Sequence, residues 1–158
     1  MKGTKKKAFT LIEVLLIVAI IGTLSALLVP SYTNLLEKAR INQGIKDIVK
    51  ISRELDDFLI DNGTIPETLD ELLQDSKPLD LIDPWGNQYE YLVIIGKNKN
   101  EVQGKWRKDR FLVPINSDYD LYSMGKDEKS NAPLTAQASW DDIVRASDGA
   151  FFGLAHKY

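Results

Sequence analysis

Residues 14–36, VLLIVAIIGTLSALLVPSYTNLL, run for 23 positions without a charge. At about 1.5 Å per residue a helix of that length spans roughly 35 Å, enough to cross a hydrocarbon core about 30 Å thick. Gly22 and Pro30 interrupt the run. A proline loses one backbone hydrogen bond and clashes with the preceding turn, so a kink or local unwinding near residues 22–30 is expected. Upstream stand Lys2, Lys5, Lys6 and Lys7, with no acid among residues 1–8. Lysines directly ahead of an apolar run mark the cytoplasmic side of a membrane segment. A secretory signal peptide has the same outline, but Thr23-Leu24-Ser25 is a poor cleavage site and Glu13 heads the apolar stretch. An ionised carboxylate at mid-membrane costs roughly 2.5–3.5 kcal/mol on insertion scales, and a segment used only for export gains nothing from it.

The rest of the composition excludes much chemistry. A chain of 158 residues allows one modest domain, and 44% hydrophobic with 27% charged residues is the balance of a folded protein. There is no cysteine and a single histidine, His156. Disulfides, thiolate catalysis and cysteine or histidine-rich metal centres are therefore out, and His156 has no nucleophile motif tied to it. Setting aside the four leading lysines leaves 16 basic residues of the 20 against 23 acidic, a formal charge of −7. So acidic a chain repels nucleic acid phosphates.

Beyond Glu37 the helical pattern turns amphipathic. Ile41, Ile45, Ile48, Ser52, Leu55 and Leu59, widened by Val49 and Phe58, form one stripe, and Asn62-Gly63 supplies a stop. A helix over about residues 10–61 is roughly 78 Å long; its first half needs lipid or copies of itself. The second half can pair as a coiled coil, but the strand signals downstream favour packing on the protein's own sheet. Residues 64–73, TIPETLDELL, read as a short second helix with Pro66 near its start, ended by Lys77-Pro78. Residues 83–87, DPWGN, are turn chemistry. Residues 88–95, 110–114 and 119–123 are strand candidates, and the polar stretch 96–109 connects them. The expected fold class is α+β: a long N-terminal helix, membrane-spanning then amphipathic, packed on a small antiparallel sheet.

Residues 5–15, KKKAFTLIEVL, resemble the leader of type IV pilins and type II secretion pseudopilins. The combination of basic cluster, small residue, Phe, three-residue spacer and Glu is specific, and Pro30 falls where the family's helix has a proline. The resemblance implies that a prepilin peptidase cuts between Ala8 and Phe9 and methylates the new Phe9 amine. Ala8 stands where the family has glycine, a change that is small enough to keep the site. It divides the chain into a cleaved leader (1–8), a transmembrane and filament-core helix half (9–36) and a periplasmic globular domain (37–158). After cleavage Phe9 and Glu13 are one helical turn apart, and in a stacked filament Glu13 can meet the next subunit's amine. At about 4 Å and an effective dielectric near 20 that attraction is about 4 kcal/mol before desolvation, and its use is register. The competing reading of Glu13 is a solvated acid at a helix start.

The DPWGN segment followed by tyrosines is similar to the opening of the sheet in major type II secretion pseudopilins. Those proteins carry a calcium-binding loop after the last strand. Here residues 121–127, LYSMGKD, resemble its start and 140–143, WDDI, its end, with EKSNAPLTAQAS between. The resemblance implies Ca2+ held by the Asp127, Asp141 and Asp142 carboxylates and by carbonyls at Leu121 and Ser123, since calcium takes six to eight oxygens. Lys126 and Lys129 lie beside them, so solvated loop acids are the alternative. Residues 147–158 read as a turn and an apolar tail in which Phe151 and Phe152 cover the sheet edge or meet a neighbour. The implied role is a non-enzymatic subunit of a secretion pseudopilus, single-pass in the inner membrane with its C-terminal domain in the periplasm. Its implied partners are copies of itself, prepilin peptidase, the assembly platform, minor pseudopilins and membrane lipid. The alternatives are a surface type IV pilus subunit for adhesion or motility and, from another class, a membrane-anchored hydrolase or binding module.

Overall fold

Thr10 opens the long helix. Its hydroxyl accepts from the Glu13 amide at 3.3 Å, while Glu13 Oε2 accepts from both the Thr10 amide and hydroxyl at 2.8 Å. This reciprocal Thr-x-x-Glu cap satisfies donors that a helix start leaves unpaired. The computed structural model describes residues 9–75 and 79–158; the leader, Ala8 and Lys77-Pro78 lie outside the described residues. Helix α1 (Leu11–Asn62) runs 52 residues. It continues through Gly22 and Pro30 without the local unwinding expected there. The Thr23 and Thr33 hydroxyls donate to the carbonyls of Ile20 and Pro30 at 2.9 and 3.0 Å, giving the helix side-chain hydrogen bonds on both flanks of the interruption. Gly63, at φ 72°, ends α1 by donating to the Leu59 carbonyl at 2.8 Å, a left-handed stop.

The chain divides into two units, Met1–Lys38 and Ala39–Tyr158. In the first, the described large apolar side chains stay exposed, Leu11, Ile12, Val18 and Leu28 among them. The second unit holds a four-stranded antiparallel meander: β1 (Glu90–Val93), β2 (Tyr119–Ser123), β3 (Ile143–Ala146) and β4 (Phe151–Leu154), in that spatial order. Ile48, Ile51 and Leu55 of α1 bury against Tyr89, Tyr119, Leu121 and Ile143. The stripe thus holds at its centre, with Ile51 added, while Leu59 at its end is exposed. Ser52, the polar member of the stripe, is satisfied by the Tyr119 hydroxyl at 2.8 Å. Gly44 permits close approach, since a Cβ there would stand 2.5 Å from Ile143 Cδ1.

Three expected elements differ. The second helix is a 3-10 segment, Leu69–Asp75, headed by Glu71 accepting from the Glu67 and Thr68 amides at 3.0 Å. Residues 110–114 form no strand: Asp109 closes a turn onto the Leu112 carbonyl at 2.9 Å, and Phe111 is 90% exposed. An apolar run becomes a strand only when a neighbour pairs its backbone, and Pro114 offers no donor. The apolar tail is not a cover for the sheet edge but the edge strand itself, β4, joined to β3 by a turn in which Ser147, Asp148 and Gly149 all have positive φ.

Candidate functional site

At the helix head, the described bonds of Glu13 use one carboxylate oxygen, Oε2, toward Thr10. A carboxylate accepts through both oxygens, so the cap leaves capacity for a cation. Phe9 is 77% exposed, and it precedes Thr10 at the start of the apolar stretch. Glu13 therefore carries the helix-start role and retains the chemistry for an ammonium partner. Among the described residues, α1 is the one helix long and apolar enough to cross a membrane.

In the unit Ala39–Tyr158, the DPWGN turn is built on Asp83. Its Oδ1 accepts from the Trp85 and Asn87 amides at 3.0 and 2.9 Å, and its Oδ2 accepts from the Ser123 hydroxyl at 2.6 Å. Ser123 Oγ in turn accepts from the Gly125 amide at 3.0 Å, which starts the acidic loop. Gly125 has φ 68°, and a Cβ there would lie 2.4 Å from the Asp141 carbonyl, so only glycine lets the loop's two ends touch. Asp141 Oδ2 accepts from the Lys126 and Asp127 amides at 3.0 and 3.1 Å, and Asp127 Oδ1 accepts from the Lys129 amide at 2.9 Å. Leu121 and Ser123 are on β2, paired with Tyr91 and Ile143.

Asp142 faces a different set. It is fully buried, and its Oδ2 takes the Arg107 Nη2 at 2.5 Å and the Ser130 hydroxyl at 2.6 Å. Burial pushes the Asp142 carboxyl above its ordinary range, while Ser130 and Arg107 pull the other way. Arg107 is itself 2% exposed, bonds Ser130 and the Asn131 carbonyl through Nη1, and lies 4.3 Å over the Tyr122 ring. Removing one partner of such a buried pair costs about 3–5 kcal/mol. Of the five residues implied for calcium, Asp127 and Asp141 share the loop entrance, while Asp142 turns inward to the guanidinium. Among the described residues no three carboxylate or imidazole groups stand where they could hold a metal ion.

The family model for type II secretion system (T2SS), protein G, matches residues 31–139, and that for the prokaryotic N-terminal methylation motif matches residues 3–29. The chain belongs to the type II secretion system protein G family. It is 30% identical over 146 residues to the type II secretion system core protein G of Pseudomonas aeruginosa, covering 82% of this chain and 89% of that protein. The core protein G of Vibrio cholerae is 34% identical over 109 residues, 58% of this chain and 73% of that one. Fimbrial protein EcpB of Eikenella corrodens is 30% identical over 104 residues, 63% of this chain and 65% of that protein. No solved structure gives a significant match.

Protein G membership and the exposed apolar helix together make this a membrane-anchored protein of a secretion system, in a family of structural rather than catalytic subunits. Two residues of this family member escaped the reading from sequence. Thr10 carried a usable signal, the Thr-x-x-Glu spacing to Glu13. Arg107 carried none: it is one cation in a polar stretch, and its partners lie 23 to 35 positions away.

Proposed function

We propose that the chain is a structural subunit of a type II secretion pseudopilus, cut between Ala8 and Phe9, methylated on the Phe9 amine and polymerised to drive protein export. The observation that carries this is a capped helix whose first half is apolar and exposed and falls largely within the methylation motif at residues 3–29. In water that surface costs about 25 cal/mol for each exposed Å2, a penalty lifted by lipid before assembly and by neighbouring copies after it. The anchor crosses the inner membrane once, with residues 37–158 in the periplasm. Prepilin peptidase, the assembly platform and minor pseudopilins are its partners. A surface pilus is the second reading, favoured by the fimbrial relative; the protein G match over residues 31–139 weighs toward secretion. The test is intact mass with N-terminal sequencing of membrane-extracted protein. The expected chain begins at Phe9 and carries one methyl group. A terminus near Ala26 means ordinary secretion and sinks the filament reading.

A further inference from the structure

The resemblance to major pseudopilins implies calcium at the acidic loop, and the residues present do not fit it. Asp141 and Asp127 each tie one carboxylate oxygen to loop amides and keep the other, but Asp142, the third carboxylate the site would need, is turned to Arg107, and among the described residues no three carboxylates converge. We propose that the Arg107 guanidinium is this loop's resident cation, and that residues 124–142 hold their conformation without a divalent metal ion.

Three observations converge on Arg107. First, its bonds do what a central cation does: they gather one carboxylate, one hydroxyl and one carbonyl, from Asp142, Ser130 and Asn131, at both sides of the loop. Second, the main chain beside it is stitched to the same loop. Lys108 donates to the Ala132 carbonyl at 3.0 Å and Leu134 donates to the Lys108 carbonyl at 2.9 Å. The Arg107 amide is meanwhile anchored on Asp120 at 2.5 Å, so the guanidinium is aimed by a fixed backbone. Third, Arg107 Nε and Asp142 Oδ1 are both buried and carry no described hydrogen bond. The pair is therefore joined through Nη2 and Oδ2 alone, and no other described donor claims the remaining Asp142 oxygen. A calcium ion ligated by Asp142 at about 2.3–2.6 Å would sit beside the guanidinium, and two cations repel at that range.

The test uses the full chain in detergent, stripped of metal, then held either in EGTA or in millimolar calcium chloride. Melting temperature reports the fold, and trypsin cleavage after Lys126 and Lys129 reports the loop. The expected result is the same melting temperature and cleavage rate in both arms. Arg107→Met keeps an apolar stem but removes the charge; it should melt about 10 °C lower and be cut at least about tenfold faster at the loop. Should Arg107→Met fail to fold, Asp142→Asn, of the same shape, is expected to be cut faster than the wild type and equally in both arms. The proposal is overturned if calcium raises the wild-type melting temperature and EGTA reverses it. It is equally overturned if Arg107→Met, or Asp142→Asn in its place, behaves as wild type in melting and cleavage. None of these readouts depends on assembly, so they fail or succeed separately from the filament reading.

Discussion

Asp120 is a carboxylate with 1% exposure, on the central strand β2. It accepts from the Arg107 amide at 2.5 Å and from Asn116 Nδ2 at 2.8 Å. Burial pushes its carboxyl from 3.8 to about 6, against the pull of those two donors and of the Arg107 charge, with Asp118 adding to the push. The folded state therefore holds a proton that the unfolded chain has released, between about pH 4 and 6. The contribution is full below the unfolded value and is lost as pH rises through the folded one, so this group makes stability fall across that window. Asp120→Asn should flatten the fall, because asparagine does not titrate. It should also lower stability by about 1–3 kcal/mol, since its NH2 faces one of two donors. Asp47 and Asp142, also raised by burial, remain in both proteins, so the difference between their urea-unfolding curves isolates Asp120. Identical pH slopes would show that Asp120 titrates alike in the folded and unfolded states.

At the scale of elements, α1 meets β3 where Gly44 faces Ile143, with 2.5 Å between an added Cβ and Ile143 Cδ1. Gly44→Ala gains about 1 kcal/mol of helix propensity but overpacks a fully buried side chain, typically a loss of about 1–3 kcal/mol. A net loss is expected in the wild type and a net gain in an Ile143→Val background, where the clashing methyl is gone. Urea unfolding of the four proteins reads this coupling, and additive effects would mean that the helix and strand do not touch there. This contact also marks the limit of what sequence makes legible. Ile48 and Leu55 repeat at helical spacing, and β1 and β2 are dense in aromatic and branched residues, so these elements declare themselves locally. β3 and β4 do not: IVRA and FFGL are four residues each, and their pairing is made by the positive-φ turn at Ser147, Asp148 and Gly149. Residues 110–114 err the other way, with strand composition but no partner. The acidic loop was recognisable by its ends, yet Arg107 was invisible because it is brought to Asp142 only by tertiary folding.

At the scale of the whole molecule, the described core residues all belong to the unit Ala39–Tyr158, and the unit before it contributes an exposed apolar helix. Folding and assembly are thereby separable, and Glu13 is where they can be pulled apart. The Thr10 cap uses Glu13 as a hydrogen-bond acceptor, a duty that glutamine also performs in this motif. The proposed contact with the next subunit's Phe9 amine uses Glu13 as a charge, which glutamine lacks. Glu13→Gln should therefore keep the cap, membrane insertion and leader cleavage while filament yield drops. Glu13→Leu loses cap and charge together, inserts at least as well because the anchor is more apolar, and should assemble no better than Glu13→Gln. The core of residues 39–158 is untouched in both, so melting of that unit should match wild type and exclude misfolding as the cause. Filament yield, scored by shearing and sedimentation, decides between the two duties. Full assembly by Glu13→Gln with failure of Glu13→Leu would make Glu13 a helix cap and leave subunit register to other contacts.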